Sequence, residues 1–141
     1  MDLKSETATV MTPSELWRFF PIGYLVTIII ETPILIVGLS KQHSLRRRLF
    51  AGIWLTACTY PIVTLVLPLV LSAYSRRTFL AVAEVFAPVV ECILFWLAFE
   101  WRSGASQKQV VRDCIVIVIA NLASFAAGEV LNAWQWFGWL S

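Results

Sequence analysis

The chain has 141 residues, of which 59% are hydrophobic and 14% charged, with a formal net charge of +2. Soluble domains are about 45–50% apolar and about 25% charged, so this composition excludes a soluble globular domain standing alone. Almost none of the eleven basic residues lie inside the long apolar runs, and they do not gather with aromatics on one face, which argues against a nucleic-acid partner.

In chain order, residues 1–15 read as a short polar tail, 16–133 as one membrane domain and 134–141 as an aromatic interfacial segment. Thr12-Pro13-Ser14-Glu15 has the form of a capping box with proline at the first helical position, so a helix is expected to start at Pro13. Pro21 is expected to separate a short interfacial turn from the span that follows. A bilayer core about 30 Å thick takes roughly 20 apolar helical residues. Four segments meet that length: Trp17–Leu39, Leu49–Ser72, Thr78–Phe99 and Val110–Leu131. The first is too long for a cleavable signal peptide and has no basic leader or small-residue cleavage pattern. Ser103-Gly104 is expected to stop the third helix, and Ser106 with Gln109 to cap the fourth. Short connections then predict an all-α fold, a four-helix transmembrane bundle with up-down antiparallel topology.

Direction follows from the basic residues. Lys41, Arg46, Arg47, Arg48, Arg102, Lys108 and Arg112 fall at one end of the bundle, against Lys4, Arg18, Arg76 and Arg77 at the other. The positive-inside rule therefore predicts a multi-pass protein of the inner (plasma) membrane with both termini on the non-cytoplasmic side. Trp134, Trp136, Phe137 and Trp139 would form an aromatic belt at the outer interface. Arg46–Arg48 read first as a topology signal and second as a contact for anionic headgroups. His43, the single histidine, reads as a solvated loop residue.

Charged groups in a spanning helix cost about 2.5–3.5 kcal/mol each on insertion scales, so Glu31, Glu84, Glu91 and Glu129 each need a reason. No lysine or arginine lies comparably deep. A rise of 1.5 Å per residue puts Glu31 about 4 Å and Glu91 about 3 Å to the same side of the midplane, with Tyr60 and Asn121 near it. Glu84 shares a helix face with Glu91, seven residues away. Glu31, Glu84, Glu91, Asn121 and Tyr60 are therefore the candidate intramembrane proton or cation site. Ser124 and the carbonyls freed by Pro33, Pro61 and Pro88 are its supports. The competing reading is adhesion between helices by neutral glutamates, with Asn121 and Tyr60 as partners. Ala120, Ser124 and Gly128 form a small-residue ladder expected to admit a neighbouring helix.

Cys58, Cys92 and Cys114 lie in apolar runs without a CxxC pair and read as packing residues. No cofactor or metal is expected. Without HExxH, GxSxG or paired catalytic aspartates the chain is not expected to be an enzyme. The function expected is that of a proton- or cation-linked small-solute transporter, working as a homo-oligomer in the lipid bilayer; the alternative is an accessory or assembly subunit of a membrane complex.

In helix count and in the glutamate of its first span the chain resembles the small multidrug-resistance transporters. It lacks their glycine-rich fourth-helix pattern and carries extra deep glutamates foreign to that family, so it is not assigned to it. A broader resemblance rests on Glu31-Thr32-Pro33, Arg46–Arg48 before Tyr60-Pro61, Glu84 with Glu91, and Ala120-Asn121-x2-Ser124. It covers residues 24 to 128 and is to uncharacterised small bacterial four-helix membrane proteins. It implies the fold and a bacterial inner membrane, and no activity.

Overall fold

The computed structural model describes residues 13–134. Thr12 of the expected capping box and the aromatic segment from residue 135 onward lie outside the described residues. Four helices make up the fold: α1 (Pro13–Gly38), α2 (Leu45–Val70), α3 (Arg76–Glu100) and α4 (Gln107–Ala133). Each is long and apolar enough to cross a membrane, and the chain is a multi-pass membrane protein. α1 packs on α2 and α4, and α3 packs on α4 and α2. Consecutive helices are thus neighbours around a square, as short connections between antiparallel rods require.

The boundaries differ from the sequence expectation in instructive ways. α1 is helical from Pro13, the first described residue, and runs unbroken through Pro21 and Pro33. α2 starts four residues early, because the Ser44 hydroxyl accepts from the Arg47 N–H at 3.3 Å and caps the helix there. The Arg46–Arg48 run therefore forms the first turn of a helix instead of a loop. Ser75 likewise caps α3 through the Thr78 N–H at 3.3 Å and extends it to Arg76. At α4 the reciprocal half of the expected box is present, with the Ser106 N–H donating to Gln109 Oε1 at 3.0 Å. Gly104 sits at φ 67° in the turn after α3, a left-handed conformation that suits glycine. Two helices contain wide π-helical turns, α2 at Ile62–Val66 directly after Pro61 and before its last turn, and α3 at its end, Trp96–Glu100. The first is the usual local answer to a proline that removes a ladder hydrogen bond.

Polarity is inverted relative to a soluble bundle. Large apolar side chains such as Ile29, Val37, Val85 and Ile115 point outward, Val37 being 82% exposed on the bundle surface. Inside lie Leu35, Leu39, Leu55, Phe95 and Ile117, together with Glu31, Thr32, Thr56, Thr59, Glu91, Asp113 and Asn121. An outward apolar surface of this kind is what a lipid environment selects. α1 and α2 approach closely at Gly52, where a Cβ would stand 3.0 Å from the Thr32 Cα and 2.7 Å from its Oγ1. That approach brings Thr56, one turn on, against Glu31.

Candidate functional site

Glu31 on α1 and Glu91 on α3 are both 2% exposed and reach into the bundle from diagonal corners. α2 and α4 supply the groups between them. Thr56 Oγ1 lies 2.9 Å from Glu31 Oε2, and Ser124 Oγ lies 2.5 Å from Glu31 Oε1. Thr59 Oγ1 lies 2.6 Å from Glu91 Oε1, and Asn121 Nδ2 donates to Glu91 Oε2 at 2.8 Å. The two partners on α2 are three residues apart, as are the two on α4, which places each pair on one helix face. No lysine or arginine bonds either carboxyl among the described residues.

The hydrogens can be counted. Each hydroxyl in this network has a single hydrogen and a second acceptor on its own helix: Gly52 O at 2.8 Å for Thr56, Leu55 O at 3.1 Å for Thr59 and Asn121 O at 3.0 Å for Ser124. A hydroxyl that donates to its own backbone has only its oxygen left for the carboxyl, and that oxygen can accept an acid O–H. A hydroxyl that turns to the carboxyl serves an anion. Asn121 uses both amide hydrogens, on Glu91 and on Ile117 O at 3.1 Å. The network therefore accommodates either proton inventory by rotating hydroxyls, with no helix moving.

A cavity of about 240 Å³ adjoins this network. Glu31, Thr56, Thr59, Glu91, Asn121 and Ser124 line its inner part, and Gly23, Val63, Glu84, Gly128, Glu129 and Leu131 line it toward the end of the bundle that carries the α2–α3 connection. Of the residues singled out from sequence, Glu31, Glu84, Glu91, Tyr60, Asn121, Ser124 and Pro88 all border this one space. Glu84 is exposed near its mouth. Tyr60 presents its ring to Phe20 and Tyr24 and covers Gly23 with its hydroxyl, so it forms wall and makes no bond to a glutamate. Pro33 faces outward and Pro61 is not part of the lining. Ala120 is core, but Gly128 has no atom within 4 Å of where a Cβ would stand and borders the cavity instead of packing on a neighbour. Glu129 is not an uncompensated acid: Arg76 Nη2 donates to both its oxygens, at 2.9 and 3.0 Å. The two meet because α3 begins beside the end of α4.

Thr56 and Thr59 were not singled out from sequence, because threonine is common in membrane helices and its role appears only when a carboxyl faces it. A second cluster was missed altogether. His43 is 4% exposed, not solvated, and its Nε2 lies 3.3 Å from Asp113 Oδ2 and 3.8 Å from Glu100 Oε1. Spacing carried a hint of it, since Asp113, Ile117 and Asn121 follow at four-residue steps on one buried face of α4.

Fold and cavity together define a class, the multi-pass four-helix membrane protein with an acidic pair buried between its helices. Comparison of the chain with protein-family models, with curated proteins and with solved structures gives no match.

Proposed function

We propose that this protein is a proton- or cation-linked transporter of a small solute in a bacterial inner membrane. Glu31 and Glu91 are the exchanging groups, and the cavity is the path by which solute reaches them. One observation carries this reading: two buried carboxyls border one cavity, answered by hydroxyls and an amide and, among the described residues, by no basic side chain. Adhesion between helices needs hydrogen bonds but no adjoining space. Exchange needs both, together with partners that tolerate a carboxyl with or without its proton. The three hydroxyls, each with an alternative acceptor on its own helix, meet that need.

Acid at the inner end and apolar walls suit a small cationic solute. The basic α1–α2 and α3–α4 connections favour an orientation in which the cavity mouth, with both termini, faces away from the cytoplasm. Four helices enclose little volume, so a homo-oligomer is the expected working unit.

Purified chain in liposomes loaded with a pH-sensitive dye tests this directly. Wild-type protein should dissipate an imposed proton gradient, and Glu31→Gln and Glu91→Gln should each lose that flux while eluting as folded protein. Flux equal to wild type in both variants would refute the proposal. An inert chain that co-purifies with a stoichiometric partner would replace it by the accessory-subunit reading.

A further inference from the structure

We infer that His43, Glu100 and Asp113 form a binding site for a divalent transition-metal ion, with Zn2+ the best fit. The site lies at the end of the bundle that carries the α1–α2 and α3–α4 connections, away from the mouth of the acidic cavity. Each residue offers one ligand atom, and the three atoms lie within 4.8 Å of one another.

All three side chains are buried, Asp113 fully and His43 and Glu100 at 4% exposure. Their hydrogen bonding is incomplete: both carboxylate oxygens of Glu100 and Oδ2 of Asp113 lack a well-aligned hydrogen-bond donor, and the two carboxyls face each other with only the His43 ring, 3.3–3.8 Å away, beside them. Burying such oxygens unanswered costs several kcal/mol each. Arg48 and Arg112, at this end of the bundle, do not answer them. Arg48 donates to the carbonyls of Ile36 at 2.6 Å and His43 at 3.0 Å, and Arg112 donates to Gly38 O at 3.3 Å. Both are used on the last carbonyls of α1 and the loop after it. At most one positive charge, on His43, then faces two acids. A divalent ion would balance both.

The spacing is close to that of a metal site. Ligands 2.0–2.2 Å from a tetrahedral ion stand about 3.3–3.6 Å apart. The imidazole nitrogen lies 3.3 and 3.8 Å from the two carboxylates and all three ligand atoms fall within 4.8 Å, so a bound ion would draw Glu100 in by a few tenths of an ångström or more. The ligands are also held. Asp113 Oδ1 accepts the Ser40 N–H at 2.7 Å, which leaves Oδ2 to turn toward His43. The backbone N–H of His43 donates to Ser40 O at 3.0 Å, and the His43 ring rests edge-on against Phe95 and Phe99. One imidazole with two carboxylates is a donor set for a borderline first-row divalent ion, and affinity order favours Zn2+ over Mn2+ or Fe2+. A bound ion would fasten the α1–α2 loop to the end of α3 and the start of α4.

The test uses the full chain, purified in detergent, stripped with chelator and titrated with Co2+. Wild-type protein should develop a saturable visible absorption at one ion per chain, displaced by Zn2+, and Zn2+ should raise its melting temperature. Asp113→Asn and Glu100→Gln should each weaken binding by at least about tenfold, the lower end for disturbing even an outer-shell group. Should either variant fail to fold, the wild-type titration still decides. Absence of saturable Co2+ absorption, binding unchanged in both variants, or a sulfur-to-cobalt charge-transfer band that assigns the ion to the cysteines would each overturn the inference.

Discussion

Replacing Glu91 by glutamine or by alanine separates the two proton inventories of the buried network. In the neutral-acid arrangement the Asn121 amide donates to Oε2, the acid O–H sits on Oε1 and donates to Thr59 Oγ1, and the Thr59 hydroxyl donates to Leu55 O. Glutamine reproduces this pattern, with its carbonyl toward Asn121 and its NH2 toward Thr59. It leaves one extra N–H unanswered, a cost of about 1 kcal/mol. Alanine removes both bonds, each about 0.6–2 kcal/mol in a membrane bundle, and leaves a void at a side chain that is 2% exposed. The bonds alone come to about 1–4 kcal/mol, and the void adds to that. Thermal unfolding of purified protein in detergent should therefore rank wild type slightly above Glu91→Gln and well above Glu91→Ala. A glutamine variant as unstable as the alanine one would refute the reasoning, because it would mean that both oxygens of the folded carboxyl act as acceptors.

Gly52→Ala should destabilise the bundle by about 1–3 kcal/mol, since the new methyl would stand 3.0 Å from Thr32 backbone that has no room to yield; an unchanged melting temperature would show that the α1–α2 approach is looser. For orientation, a cysteine placed at Lys41 in a variant lacking the three native cysteines should react with a membrane-impermeant maleimide only after the cells are permeabilised. One placed at Ser72, in the opposite connection, should react in intact cells.

Span length and composition were enough to set the four spans and their up-down order, because a run of about 20 apolar residues has few other stable placements. It also put Glu31 and Glu91 at one depth, since helical rise is the same in every span. Rotation about each helix axis was not legible, because spans that are apolar around nearly their whole circumference carry no stripe to mark the inward face. Only packing decided that Thr56, Thr59 and Ser124 meet the glutamates, that Arg76 reaches Glu129, and that Pro33 faces away. His43 shows the limit most plainly. A histidine in a short basic connection reads as solvated, yet Arg48 and Ser40 fold that connection back over the bundle and bury the ring beside Glu100 and Asp113. Residues on a loop and two helices came together there through contacts that no local pattern in the chain encodes.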